Sequence, residues 1–112
     1  MDKRDSAPEL HLTNGGLWAV RSTSSTVCYL DLDRMRLYRD RGRGRPEFTY
    51  DGRWVRLAQV RSPRGDSGVA RVGDRHEFLT DPDGGVQDYQ WWIPRVCVAI
   101  ERVAESDALP RT

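Results

Sequence analysis

Six arginines lie between positions 34 and 45, and they form the densest group of side chains in this sequence that could bind a ligand. Guanidinium groups hold phosphates and carboxylates through paired hydrogen bonds, and alternating arginine and glycine in a loop can follow a phosphate backbone. A neighbouring tyrosine offers a face on which a base could stack. The nucleic-acid hypothesis therefore uses Arg36, Tyr38, Arg39, Arg41, Arg43 and Arg45.

The same charges would also suit an acidic protein partner. A third interpretation is a solvated hairpin tip without a ligand, because Lys3 is the only lysine in the chain and a GC-rich genome favours arginine codons. The net charge of +1 argues against a generally basic nucleic-acid binder. The arginine count alone therefore leaves all three interpretations open.

Two adjacent tryptophans, Trp91 and Trp92, are the second candidate site. Adjacent residues of a strand face opposite sides, so a one-sided core can take only one of them. The other is then available to anchor a partner, as tryptophan commonly does in interfaces. Pro94 favours a sheet edge nearby because it has no amide hydrogen to donate, and an edge can accept a partner's strand. The partner-binding hypothesis uses Trp91, Trp92, Arg39, Arg41 and Arg43.

Signals for catalysis and metal binding are few. The chain has two histidines, His11 and His76, and no nucleophile or phosphate-loop motif. Cys28 and Cys97 belong to no paired-cysteine metal motif. Two buried thiols are expected, with one disulfide between the early and late strands as the alternative. We therefore expect no catalytic residue, metal or cofactor.

The elements that must position these side chains are short β-strands. Apolar segments separated by turn residues at nearly regular spacing predict an all-β fold. We expect a small antiparallel meander of about seven short strands with frayed termini, closing into a barrel or a sandwich. One strand is predicted over 26–33, with Cys28, Leu30 and Leu32 on its core face.

Two dipeptides predict hairpins, because asparagine, aspartate and glycine tolerate the backbone of a tight turn. A two-residue turn at Asn14-Gly15 would pair Leu12 with Leu17, and a loop that also includes Gly16 would shift this register. The turn at Asp51-Gly52 would pair Phe48 with Val55, Thr49 with Trp54, and Glu47 with Arg56.

The longest apolar run is Tyr89–Val103, with the sequence YQWWIPRVCVAIERV. A strand that is apolar on both faces is expected to be covered on both sides. This run is therefore predicted to be the central element on which the other strands pack. A homodimer formed through the edge of Trp91–Val103 is a further hypothesis.

With 112 residues, the chain is expected to form one domain. Its polar ends predict a disordered N-terminus over 1–8 and a flexible tail over 104–112, which leaves 9–103 as a single β domain. The sequence has no apolar signal core and no stretch of membrane-spanning length. A cytoplasmic location without a membrane partner is therefore expected.

The stretch LWAVRSTSSTVCYLDLDRMRLYR, with VAIERV later in the chain, resembles a pattern in short uncharacterised β-rich proteins of high-GC bacteria and their phages. It covers about a quarter of the chain, and its matching positions are Trp18, Val20, Arg21, Thr26, Tyr29, Leu30, Asp31, Leu32, Asp33 and Arg39. The resemblance implies a β-meander and a bacterial or phage source, and it implies no activity.

These observations favour a non-enzymatic protein-interaction or regulatory module, encoded by a phage or accessory to a host system. Its contact surface would use the exposed tryptophan and the arginine loop. The alternative is a small β-barrel that binds nucleic acid through the arginine-rich loop.

Overall fold

The computed structural model describes residues 6–40, 52–81 and 90–104. Within these ranges the chain forms nine strands and one 3-10 turn, so the all-β prediction is confirmed. The strands are β1 Glu9–His11, β2 Leu17–Ser22, β3 Val27–Asp31, β4 Arg36–Asp40, β5 Trp54–Arg61, β6 Val69–Arg71, β7 Glu77–Asp81, β8 Gln90–Trp92 and β9 Cys97–Arg102. No helix among the described residues is long and apolar enough to cross a membrane.

Seven of the strands form one antiparallel sheet in the order β8-β7-β5-β4-β3-β2-β9. The remaining two, β1 and β6, pair with each other as a two-stranded ribbon. The large sheet is not closed into a barrel, because β8 and β9 stand at its two ends. Of the two predicted closures the barrel is therefore wrong, whereas a sandwich-like meander fits.

Both sheets contribute side chains to one core. Alternation along β3 turns Cys28 and Leu30 inward, as predicted, and Leu32 continues the same face. The ribbon adds the fully buried Leu10 and Ala70. Backbone hydrogen bonds join the ribbon and its flanking residues to the large sheet: Ala7 N donates to Ile100 O and Gly68 N donates to Val60 O, both at 2.9 Å.

The N-terminal hairpin prediction is wrong. Leu12–Asn14 forms a 3-10 turn, and β1 pairs with β6 instead of β2. Left-handed φ values fall on Gly15 (+70°) and Gly16 (+88°) and not on Asn14. At these two glycines the chain passes from the ribbon to β2 of the large sheet. The non-local pairing buries Leu10 completely, which a local hairpin would not require.

The second predicted hairpin falls largely outside the described residues, which include neither Asp51 nor the partners expected at positions 47–49. In the structure Trp54, Val55 and Arg56 of β5 pair with residues 36–38 of β4.

The prediction that Tyr89–Val103 is the central element of the sheet is also wrong. The segment forms two short strands, β8 and β9, at opposite ends of the large sheet. They part at Ile93–Val96, where Pro94 cannot continue a ladder. The apolar side chains on both faces of this segment are therefore not all covered. Trp91 is 47% exposed and Val98 is 50% exposed.

Candidate functional site

Strand alternation divides both predicted sites between two faces of the sheet. Tyr38 lies on the outer face, whereas its neighbour Arg39 shares the inner face with the buried Leu37. Trp91 is exposed and Trp92 packs on the core, so the two tryptophans face opposite sides of the strand, as predicted. The predicted ligands Arg41, Arg43 and Arg45 lie outside the described residues.

The outer face carries a row of aromatic side chains across three strands. Tyr29, Tyr38 and Trp54 are cross-strand neighbours on β3, β4 and β5. The ring centroids are 6.3 Å apart for the two tyrosines and 5.5 Å apart for Tyr38 and Trp54. The Arg36 guanidinium carbon lies 4.3 Å from the Trp54 ring centroid, within cation–π range. Of the predicted nucleic-acid residues, Tyr38 therefore belongs to this row and Arg36 lies against it.

Charges on the outer face are paired within the protein. Arg36 and Arg56 stand opposite each other on β4 and β5, where two like charges repel. Arg36 Nε donates to Asp31 Oδ2 at 2.9 Å, and Arg56 Nη1 lies 3.5 Å from Asp81 Oδ2. Burial acts to raise the pKa of Asp31, but hydrogen bonds from Arg36 and Arg34 hold that pKa below its ordinary value. Asp31 and Asp81 thus neutralise the charges of Arg36 and Arg56.

A groove of about 480 Å³ opens on the other side of the sheet. The β2–β3 turn, the end of β4, the residue before His76 and the β8–β9 connection surround it. Its lining residues are Thr23, Ser24, Thr26, Arg39, Arg75, Trp92, Ile93, Pro94, Arg95 and Val96. None of the described residues that line it is acidic.

Packing and backbone hydrogen bonds fix the walls of this groove. Trp92 stacks on the buried Phe78, with ring centroids 5.6 Å apart. The Arg39 guanidinium carbon lies 5.2 Å from the Trp92 ring centroid. Arg75 Nε donates to Pro94 O at 2.9 Å, and a second bond ties Thr23 N to Val96 O at 3.1 Å. The groove therefore combines an aromatic floor with cationic and apolar sides.

Two groove arginines differ from most others in the molecule. Within the part of the chain that the structure describes, neither Arg75 nor Arg95 forms an ion pair. Arginines that do pair with an aspartate or glutamate are Arg21, Arg34, Arg36, Arg56, Arg61, Arg64 and Arg71. At Arg75 and Arg95 the groove thus offers positive charge that the described residues do not neutralise.

Exposed apolar side chains are concentrated in the stretch of chain that borders the groove. The large hydrophobic residues exposed by 41–50% in the described ranges are Val72, Trp91, Ile93, Val96 and Val98. Four of them fall within 91–98, which we call the β8–β9 apolar segment. Val72 precedes Gly73, whose N–H donates to Cys97 O at 2.8 Å. Clustered exposed apolar surface marks interaction sites more often than scattered single residues do.

Sequence reasoning missed most of this surface. Val98 points outward because the pairing of β2 with β9 shifts register between Arg21 and Ser22, which leaves Val98 unmatched. Arg75 and Arg95 belong to no recognisable motif and reach Arg39 only through the fold. The apolar character of both faces of Tyr89–Val103 is the available signal, and it indicates exposure here instead of the predicted cover on both sides.

The two cysteines are free, buried thiols in this structure. Cys28 and Cys97 flank β2 on opposite sides, opposite Val20 and Ser22. Two strand spacings amount to ~9.5 Å, whereas disulfides require Cα atoms within about 7 Å. Burial raises the pKa of Cys97 to about 11 and that of Cys28 well above its ordinary value, so both thiols stay protonated at neutral pH.

His76 lies beneath the groove as a buried, neutral side chain. Its Nε2 accepts a hydrogen bond from Arg71 N at 2.8 Å. Burial lowers the pKa of His76, because the charged ring would lose its hydration. Its ring lies 6.0 Å from Phe78, which in turn supports Trp92. His76 therefore supports the groove floor as a hydrogen-bond acceptor.

No cluster of three or more metal-binding side chains occurs in the described ranges. Comparisons of the chain with protein-family models, with curated proteins and with solved structures find no match.

Proposed function

We propose that this chain is a non-enzymatic protein-interaction module whose contact surface is the β8–β9 apolar segment with the adjoining groove. One observation carries the proposal: the strongly exposed large hydrophobic residues of the described ranges lie in that segment or, for Val72, next to it. A protein partner that covers them removes apolar surface from water, at about 25 cal/mol per Å². Tryptophan and arginine, both present here, are the residue types that dominate binding energy in interfaces.

The alternative function, binding of single-stranded nucleic acid, is favoured by the row of Tyr29, Tyr38 and Trp54. Bases stack on such rings with little sequence preference. Phosphates, however, need positive charge along their path, and Asp31 and Asp81 neutralise the arginines beside this row. The protein-interaction proposal therefore has the stronger support.

Affinity capture tests the proposal. The tagged full-length chain is incubated with nuclease-treated lysate of its source organism, beside the variant Ile93→Ser/Val96→Ser/Val98→Ser. These residues are exposed, so the variant is expected to fold. Val27→Ser, on the outer face of β3 and outside the groove lining, serves as the control.

The proposal predicts a protein retained in stoichiometric amount by the wild type and by Val27→Ser, and lost with the triple variant. Equal capture by the triple variant would contradict it. Capture that disappears on nuclease treatment would favour the nucleic-acid alternative. Self-association lost in the triple variant would identify the partner as a second copy of the chain.

A further inference from the structure

We infer that the groove binds an acidic, extended segment of the partner protein, whose carboxylates are held by Arg75 and Arg95. This inference rests on the proposed interaction function and specifies the chemistry of the partner. The apolar segment supplies contact area, whereas the groove supplies selection for negative charge.

Charge complementarity is the first support. Arg75 and Arg95 have no ion-pair partner among the described residues, and no described lining residue is acidic. Arg75 uses only its Nε in the described part of the chain, for the bond to Pro94 O. Guanidinium groups bind carboxylates in planar, two-point geometry. Carboxylates from outside the chain would therefore form ion pairs with these arginines, as Asp31 and Asp81 do with Arg36 and Arg56 on the outer face.

The shape of the groove is the second support. Its volume of about 480 Å³ lies in the range of about 300–1,000 Å³ found for ligand sites. Among the described strands, β8 pairs only with β7, so its outer edge is available for an added strand. Alternate residues of an extended segment recur every ~6.8 Å on one face. Acidic and apolar residues in alternation would thus place carboxylates toward arginines and apolar groups toward Ile93 and Val96.

The apolar wall distinguishes this ligand from nucleic acid. Ile93, Pro94 and Val96 form one side of the groove. A phosphate backbone gains little from such a wall, since its affinity comes from charge neutralisation along the strand. A peptide that mixes acidic and apolar side chains satisfies both kinds of surface.

Fluorescence anisotropy with two dye-labelled probes tests the inference. One probe is a short peptide of alternating glutamate and leucine, and the other is an oligothymidylate of similar charge. Both are titrated with the full-length chain at low and at physiological salt. The variants are Arg95→Gln and Arg75→Gln/Arg95→Gln.

Arg102→Gln is the matched control, because Arg102 also lacks an ion pair among the described residues but contacts Trp18 outside the groove. We expect Arg95→Gln to weaken peptide binding severalfold and the double variant to weaken it by about tenfold or more. Arg102→Gln should change it by less than about twofold. Arg95 makes no hydrogen bond in the described part of the chain, so its variant tests binding without a folding effect.

Absence of peptide binding at low salt would overturn the inference, as would an equal loss in Arg102→Gln. Tighter binding of the oligothymidylate, lost in the double variant, would reassign the groove to nucleic acid. If the peptide fails to bind while the apolar triple variant still loses its protein partner, the acidic-segment inference fails alone. If the peptide binds as predicted but no protein is captured, the proposed function fails instead.

Discussion

The outer face of β3–β5 and the groove are built from the same residue types but treat charge differently. On each, an arginine lies over a tryptophan: Arg36 over Trp54 at 4.3 Å, and Arg39 over Trp92 at 5.2 Å. The outer face adds buried aspartates that neutralise its arginines, whereas the described groove lining has no acidic residue. Arginine and aromatic content therefore does not distinguish the two surfaces; the location of the counter-charges does.

Removing a counter-charge from the outer face should have the largest effect on stability. Asp31→Asn would leave Arg36 facing Arg56 with a weaker partner, and we expect a loss of about 2 kcal/mol in unfolding free energy. Urea denaturation measures it. Asp66→Asn is the control, since Asp66 pairs with Arg71 at an exposed site and such pairs contribute about 0–1 kcal/mol. Equal losses in the two variants would remove the distinction between buried and exposed pairs.

As the pH falls, the stability contributed by His76 beneath the groove should be lost before that contributed by Asp31 on the outer face. The pKa of His76 is lowered by burial, so the unfolded chain binds a proton at a pH where the folded chain does not. Stability is therefore complete above the ordinary histidine pKa of about 6.5 and falls as pH drops below it. The pKa of Asp31 is also lowered, and its contribution is lost only below the ordinary aspartate value of about 3.9.

Urea denaturation between about pH 7 and pH 5 isolates the histidine effect. His76→Gln keeps an acceptor for Arg71 N but cannot titrate, so its stability should vary less with pH over this range. An unchanged pH dependence in His76→Gln would contradict the assignment of His76 as a buried neutral side chain.

Local patterns in the sequence predicted local structure well. The core face of β3, with Cys28 and Leu30, followed from a period of two, because burial on one face of a strand is encoded by its own residues. The opposition of Trp91 and Trp92 was predicted for the same reason. Identifying Trp92 as the inner member required knowing that Phe78 lies beside it on β7.

Non-local pairing accounts for what the sequence did not predict. Leu10 pairs with Ala70, and that contact overrides the hairpin signal at Asn14-Gly15. The groove joins Arg39, Arg75 and Arg95 from three separate parts of the chain. Whether an arginine has a counter-ion depends on which distant parts of the chain the fold brings next to it. No local pattern could therefore distinguish the groove from the outer face.

Neutralising Arg95 of the groove should have the smallest effect on stability. Arg95→Gln removes an exposed charge without breaking an ion pair or a hydrogen bond in the described ranges, so we expect a change within about 0.5 kcal/mol. The same denaturation experiment as for Asp31→Asn provides the comparison. A loss as large as that of Asp31→Asn would indicate that the groove charges stabilise the fold and are not reserved for a partner.

The indole N–H signals of the tryptophans offer the most direct test of the difference between the two surfaces. Trp92 reports on the groove and Trp54 on the outer face. In ¹H–¹⁵N spectra recorded while the glutamate–leucine peptide is added, the Trp92 signal should shift and the Trp54 signal should stay in place. A shift of Trp54 with an unchanged Trp92 would show that the ligand prefers the charge-paired face, which contradicts the account.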